Sequence, residues 1–290
     1  MEPLSFEQNP ELSGAKSPEF VIQDLLHRLP ELAKSVMLDI PENDNFKQNP
    51  DDPDEHNPGW HQFGIITHSE KFVNSFDIEA QEYFQKWGIK EKINQKISEQ
   101  IDGKTKKELL RISMILHDLG KFARSFTHKD NKFKPNFTDH EAKSEELIKG
   151  NEQIQTLLKN DYKLTENQIK YIARCAGLHF ELGKTKRAAK KSESGYNLVF
   201  AEGENCKEAC IEIAQRYPDF KEEMGILFLC DSLSKTDVRI NAGTDSEIEK
   251  QSQQIESVIQ SRGLNPKLIA AIKQRPVNIA VAKTYFDNVL

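Results

Sequence analysis

Residues 106–122 read KKELLRISMILHDLGKF. After its basic start this segment is apolar almost all round a helix, which predicts a central helix buried in a helical core. The doublet His117-Asp118 interrupts the apolar run near its end. An ionised carboxylate in such surroundings costs free energy unless it is paired or binds a cation. The doublet is therefore the first candidate for a functional site.

Helical patterns extend over most of the chain. A helix is predicted from residue 58 to about residue 76, and a strongly apolar helix from 219 to about 238. Three further helix starts have the spacing of a capping box, in which a Ser or Thr is followed three residues later by Glu or Gln: Thr138, Thr165 and Thr244. Strand signals are scarce and no repeat is evident. These patterns predict an all-α fold.

Composition limits the class of protein. The chain has 290 residues, of which 37% are hydrophobic and 30% charged, and no apolar run approaches the length of a membrane span. Residues 1–16 lack the basic start and the apolar stretch of a signal peptide, so a cytoplasmic location is expected. The net charge of -6 argues against general DNA binding, which normally requires a basic surface.

Other titratable residues share the setting of the doublet. Asp231 follows the apolar run GILFLC at 225–230, so a second carboxylate is carried into the predicted core. Three histidines lie where a helix would bring them inward: His68, His140 and His179. Imidazole nitrogen and carboxylate oxygen are ligands for divalent ions, and a carboxylate can bridge two of them. Together with the doublet, these residues could supply one or two metal sites.

The order of these residues resembles a known family. The matching positions are His68, then His117-Asp118-Leu119-Gly120-Lys121, then His140, His179 and Asp231. They resemble the HD-domain superfamily of metal-dependent phosphohydrolases over about residues 58–237. The motif order is most similar to the HD domain attached to bacterial tRNA nucleotidyltransferases, although the motifs of a nucleotidyltransferase head are missing from this chain.

The resemblance implies a helical bundle around a mono- or binuclear centre. His68, His117, Asp118 and Asp231 would hold one ion, and Asp118 would bridge to a second ion held by His140 and His179. The metal would be Mn, Mg, Fe, Ni or Zn. Three segments are then expected: an N-terminal extension at 1–57 with one or two helices and disordered loops, the metal-binding HD core at 58–240, and C-terminal helices packed on the core at 241–290.

The same resemblance implies a hydrolytic function. A divalent ion lowers the pKa of a bound water and polarises a phosphoryl oxygen, so a metal-bound hydroxide is the expected nucleophile. Asp118 and Lys121 are the candidate catalytic residues, and Lys121 would also neutralise phosphate charge. The expected reaction is cleavage of a phosphomonoester or phosphodiester in a nucleotide or a nucleic-acid end. The alternatives are a di-iron oxygenase of the HD fold that cleaves C–C or C–P bonds, and a non-catalytic binding module stabilised by metal.

Candidate substrate-binding residues flank the predicted centre. His61 is seven residues before His68, so one helix would place both on nearly the same face. Arg124 follows the doublet closely. The run from 184 to 191 contains no acidic residue and reads as a flexible loop that attracts an anionic substrate such as a phosphorylated small molecule or a nucleotide; the alternative is a solvated surface segment. Its basic residues are Lys184, Lys186, Arg187, Lys190 and Lys191.

Overall fold

The computed structural model describes residues 16–37, 61–123, 125–129, 132–136, 138–191, 195–240, 243–262 and 267–290. The α-helices in these ranges are α1 Pro18–Val36, α2 Ile65–Asn74, α3 Ala80–Lys86, α4 Lys90–Ile97, α5 Lys106–Leu116, α6 Leu119–Phe122, α7 His140–Gly150, α8 Glu152–Thr156, α9 Glu166–Leu178, α10 Lys186–Ala189, α11 Leu198–Ala201, α12 Glu204–Arg216, α13 Lys221–Ser234, α14 Asp245–Ser261 and α15 Lys267–Val289. Short π-helical segments lie at Ser75–Glu79 and Leu157–Asp161, and 3₁₀ turns at Glu181–Thr185 and Pro218–Phe220.

The all-α prediction is confirmed. Within the described ranges, strands occur only in two antiparallel hairpins, β1 Gln100–Ile101 with β2 Lys104–Thr105 and β3 Ser125–Lys129 with β4 Lys132–Asn136. Neither hairpin has an apolar alternation long enough to be recognised in the sequence. None of the described helices combines the length and apolarity needed to cross a membrane.

Helix α5 forms the centre of the bundle. A capping box starts it, because Thr105 Oγ1 accepts from Glu108 N at 3.2 Å and Glu108 Oε2 accepts from Thr105 N at 2.7 Å. Every residue from Leu109 to Leu116 is buried. The helix ends there, so the single helix predicted over 106–122 is wrong: the doublet forms a turn before α6. Asp118 has φ -103° and ψ 8°, a sparsely populated conformation outside the helical range.

Gly120 allows α6 to approach α7 closely. A Cβ atom at this position would lie 2.1 Å from the carbonyl oxygen of His140, and Gly120 N donates to Ser144 Oγ at 2.9 Å. Only a glycine permits this backbone approach. As a result the first residue of α7, His140, lies beside the doublet.

Of the three helix starts predicted from capping-box spacing, two are confirmed and one is shifted. The capping positions Thr165 and Thr244 are confirmed, since each side chain accepts from the backbone N–H three residues later. Helix α7 begins one residue later than predicted, because the residue before it is Asp139 in the left-handed conformation at φ 59° and its side chain makes no capping bond.

The helix predicted from residue 58 begins only at Ile65. Residues 58–60 lie outside the described ranges, and residues 61–63 form a bend. Gly64 precedes the helix in an extended conformation. The helix then continues through the π-helical segment Ser75–Glu79 into α3, further than the pattern indicated.

Both terminal segments contribute to the packing around the centre. Helix α1 packs against α5 and α6, continues through Pro30, and adds its apolar face to the main core. Helix α15 packs against α12 and α13, and a smaller apolar cluster joins it to α14 through Ile248 and Ile272. The segment boundaries at 57/58 and 240/241 stay predictions.

Candidate metal centre

The predicted ligands converge in the helical core from five parts of the chain. They lie within helices, at helix ends or in the turn between two helices, and all except His140 are almost completely buried. Their positions are His68 on α2, His117 and Asp118 in the turn between α5 and α6, His140 at the start of α7, His179 just after α9 and Asp231 on α13.

One group of ligand atoms contains His68, His117 and Asp231, all within 4.8 Å of one another. His68 Nε2 lies 3.2 Å from Asp231 Oδ1 and 3.9 Å from Asp118 Oδ2. His117 Nε2 lies 3.2 Å from Asp118 Oδ2. Three imidazole or carboxylate groups at this spacing, with Asp118 beside them, match the ligand number of a divalent site.

Asp118 connects this group to a second one. Its other oxygen, Oδ1, lies 3.3 Å from His140 Nε2 and 3.8 Å from His179 Nε2. One carboxylate oxygen therefore faces His68 and His117, while the other faces His140 and His179. In this position Asp118 could contribute a ligand oxygen to an ion held by either pair of histidines.

Backbone carbonyls orient two of the imidazole rings. His117 Nδ1 lies 2.8 Å from the carbonyl oxygen of Met114, and His179 Nδ1 lies 2.8 Å from that of Ala176. Because a carbonyl oxygen only accepts, Nδ1 donates in both rings and the neutral ring has its free lone pair on Nε2. This tautomer directs a ligand nitrogen at the cluster, as a bound metal would require.

Unsatisfied buried atoms indicate that the cluster suits a cation. His117 Nε2 and Asp118 Oδ1 are buried and make no hydrogen bond with any described residue. Such groups are uncommon in folded proteins. A divalent ion would give a partner to both, since nitrogen and oxygen are its ordinary ligands. The residues present therefore fit a metal.

The two aspartates are held as carboxylates. Burial by itself raises the pKa of Asp118, but the neighbouring His117 and Lys121 outweigh it and leave the pKa well below its usual value. Burial likewise opposes ionisation of Asp231, and Lys235 lowers its pKa well below the usual range. The charged form is the one that binds a metal.

Two of the histidines, His68 and His179, are shifted towards the neutral form. Burial lowers the pKa of His68, and it lowers the pKa of His179 far more strongly, with the nearby His117 acting in the same direction. A neutral imidazole is the form that ligates a metal, so these two histidines, like the two aspartates, are shifted towards the required state.

Glu141 is a further carboxylate at the centre, and sequence reasoning missed it. Its side chain forms a group with His140 and His179, and Glu141 Oε2 lies 3.3 Å from His140 Nδ1. Its one sequence signal was the capping-box spacing from Thr138, which indicated a structural role. The contact with His140 shows only in three dimensions.

A cavity of about 290 Å³ opens onto the centre. Lys121, Lys186 and Lys235 line it together with the candidate ligands His140, His179 and Asp231. Lys121 Nζ lies 2.5 Å from Asp118 Oδ2, and Lys235 Nζ lies 2.5 Å from Asp231 Oδ2. Lys235 was missed in the sequence, although it follows Asp231 by one helical turn. The cavity thus combines a cluster of metal-type ligands with three cationic groups.

Lys186 differs from the other two lysines of the cavity. Its Nζ lies 5.4 Å from the centre of the Phe180 ring and 5.1 Å from that of Tyr196. Among the described residues it has no carboxylate in ion-pair contact, and burial, followed by the charge of Lys235, lowers its pKa to about 8. An aromatic setting without an acidic partner leaves this ammonium available to an anionic ligand.

The other predicted substrate-binding residues are placed differently. Lys184 pairs with Glu181, and Arg187 is exposed outside the cavity. The flexible loop predicted here is wrong, because the segment folds as a 3₁₀ turn followed by α10, with Thr185 and Ala189 buried. Lys190 and Lys191 are also exposed.

His61 lines the cavity, but not for the predicted reason. It precedes α2 and so shares no helix face with His68; the bend at 61–63 instead brings the two ring centres within 4.0 Å. His61 also forms a group of candidate ligand atoms with His68 and Asp118. Arg124 lies outside the described residues.

Comparison with known proteins agrees with this geometry. The family described as Cas3, HD domain, matches residues 47–230, which is more than half of the chain. The match contains all of the candidate ligands except Asp231, which is the next residue. No curated protein matches the chain. The resemblance to the HD superfamily is confirmed, whereas the narrower similarity to HD domains of tRNA nucleotidyltransferases stays a prediction. The chain therefore belongs to the Cas3 HD-domain family, within the HD superfamily of metal-dependent phosphohydrolases.

Proposed function

We propose that the chain is a divalent-metal-dependent hydrolase that cleaves a phosphoester bond in a nucleotide or at the end of a nucleic acid. The observation that carries this proposal is a single cavity that joins the histidine–aspartate cluster to three lysines. Lysine ammonium groups bind phosphate oxygens and stabilise charge that develops on them. Membership of the Cas3 HD-domain family favours a phosphodiester of a nucleic acid over other phosphoesters.

The proposed roles follow the two groups of ligand atoms. His68, His117 and Asp231 would hold one ion, His140 and His179 a second, and Asp118 would contact both. Bound divalent metal lowers the pKa of a water molecule and polarises a phosphoryl oxygen. Lys121 is close enough to Asp118 to neutralise a phosphoryl oxygen at the centre. Lys186 would bind a phosphate oxygen further from the ligands, since no described carboxylate pairs with it.

The size of the cavity favours a nucleotide unit or a strand end. Its volume of about 290 Å³ is near the lower end for small-molecule sites. One wall is formed by α15 through Ala270, Ala271, Gln274 and Asn278.

The test is a hydrolysis assay on full-length protein loaded in turn with Mn, Mg, Fe, Ni or Zn. Substrates are nucleotides, end-labelled linear single-stranded oligonucleotides and a circular single strand. We expect metal-dependent release of phosphate or mononucleotides from the linear substrates, and no activity in Asp118→Asn. Rapid cutting of the circular strand would contradict specificity for ends. Two bound irons, oxygen consumption and no hydrolysis would replace this proposal with the oxygenase.

A further inference from the structure

We infer that Gln274 on α15 recognises the nucleoside part of the substrate by accepting a hydrogen bond from one of its N–H or O–H groups. Helix α15 lies outside residues 47–230, to which the family match extends. The inference rests on the proposed function for the phosphate part of the substrate. It assigns the α15 residues of the cavity lining to the group that the phosphate carries.

The side chain of Gln274 carries a hydrogen-bond acceptor that has no donor among the described residues. Gln274 lines the same cavity as His140 and His179. Its Oε1 atom is buried and makes no hydrogen bond with any described residue. Buried side-chain acceptors nearly always have a partner in folded proteins, and a bound ligand is one way to supply it.

The neighbouring side-chain amide on α15, unlike that of Gln274, has a hydrogen-bond donor. Asn278 lies one turn further along α15 and also lines the cavity, but its Oδ1 accepts from Tyr196 Oη at 2.8 Å. The ring of Tyr196 is in turn beside Lys186. Asn278 therefore supports the wall, and the acceptor of Gln274 is left for a ligand.

Helix α15 is anchored by two contacts that follow this residue in the chain. Arg275 Nη2 lies 2.6 Å from Glu79 Oε1, and Tyr285 Oη donates to the carbonyl oxygen of Lys221 at 2.6 Å. A recognition group needs a rigid support to discriminate between ligands. These contacts hold the Gln274 backbone in a defined position in the lining of the cavity that contains His140, His179 and Asp231.

The chemistry of the acceptor selects the part of the substrate. An amide oxygen needs a donor, which an ionised phosphate does not have. Amino groups of nucleobases and hydroxyl groups of sugars are donors, and a glutamine side chain can pair with a base edge through both its oxygen and its nitrogen. Ala270 and Ala271, which lie beside Gln274 on the cavity wall, leave room for a ring.

The experiment is calorimetric titration of the metal-loaded, full-length protein with AMP, dAMP, ribose 5-phosphate and inorganic phosphate. We expect Gln274→Leu to raise the Kd of AMP about tenfold, because one hydrogen bond is lost. The Kd of inorganic phosphate should not change. Gln274→Met, which keeps the length of the side chain, should give the same result. Asn288→Ala is the matched control, since Asn288 is an exposed amide on the same helix outside the cavity.

The ligand series identifies the donor. A Gln274 effect on dAMP but not on ribose 5-phosphate assigns it to the base, and the reverse assigns it to the ribose 2′-hydroxyl; an effect on both assigns it to the 3′-hydroxyl. Equal losses for AMP and inorganic phosphate, or no loss for any ligand, would overturn the inference. Metal-dependent hydrolysis of nucleotides and linear oligonucleotides by the wild-type protein is measured separately. Its absence would refute the proposed function, while Gln274-dependent binding of AMP would still establish the recognition site.

Discussion

At the scale of single residues, Asp118 joins the two halves of the candidate centre. Each of its oxygens faces a different pair of histidines. The histidines are neutral ligands, so most of the negative charge that balances a cation in the second group comes from Asp118 and Glu141. Loss of Asp118 removes both a negative charge and a carboxylate that lies beside both sets of histidines.

We therefore expect Asp118→Asn to lower metal affinity at both positions by more than about a hundredfold, because a ligand and its charge are lost together. Activity should disappear with the metal. Elemental analysis after dialysis measures the loss. Two variants serve as comparison: His140→Ala should keep the ion of the His68 group, and Asp219→Asn, at an exposed position, should keep both. Full metal content in Asp118→Asn would contradict the assignment of the centre.

Lys186 predicts a pH dependence of substrate binding. Its folded pKa, about 8, lies below the usual lysine value, so the ammonium is charged below this pH and becomes neutral as the pH rises through it. The KM for a nucleotide substrate should therefore increase above pH about 8. In Lys186→Arg the guanidinium stays charged and KM should remain flat, whereas Lys186→Met should have a high KM throughout. An equal rise in the arginine variant would assign the titration to another group.

At the scale of secondary-structure elements, the contact between α6 and α7 sets the position of His140. Gly120→Ala would put a Cβ atom 2.1 Å from the carbonyl oxygen of His140, a backbone atom that cannot turn aside. We expect a loss of about 1–3 kcal/mol in the free energy of unfolding. Urea denaturation of the metal-free protein measures it. Gly150→Ala, at the end of α7 and with no atom within 4 Å of the added Cβ, should not be destabilised. Equal stability of the two variants would show that α6 can move away freely.

The same elements show what the sequence could predict. Apolar periodicity correctly indicated a buried helix at 106–116, and capping spacing located the starts of α9 and α14. Periodicity could not indicate the break at His117-Asp118. The residues on both sides of the doublet are apolar and buried, so the pattern continues while the backbone turns. That turn depends on the close contact of α6 with α7, which is a tertiary effect.

The residues of the candidate centre were likewise only partly predictable from the sequence. The predicted ligands were recognisable because ionisable residues inside apolar helices are unusual and their order matches a family pattern. Glu141, Lys235 and Gln274 lacked such a signal, since acids, lysines and glutamines are common on helix surfaces. Their approach to the centre results from the packing of α7, α13 and α15. The basic run after His179 was predicted to attract the substrate, but only Lys186 of that run lines the cavity.

At the scale of the whole molecule, the centre holds together segments that are distant in the chain. The ligands come from α2, the α5–α6 turn, α7, the end of α9 and α13, and α15 closes the cavity. No short segment contains the complete set. His117 Nε2 and Asp118 Oδ1 have no hydrogen-bond partner among the described residues, and a cation bound to the folded chain would supply one. Metal binding should therefore be coupled to global stability.

This coupling predicts that metal raises the melting temperature. A ligand that binds only the folded state, at a free concentration one hundred times its Kd, adds roughly 2.7 kcal/mol to stability. For a chain of this size that corresponds to an increase in Tm of about 5 °C. Differential scanning calorimetry with manganese, and then with excess chelator, measures the difference. Asp118→Asn should melt at the same temperature under both conditions, because it lacks the residue between the two groups. If the variant shows the same increase as the wild-type protein, the stabilising ion binds at another position in the chain.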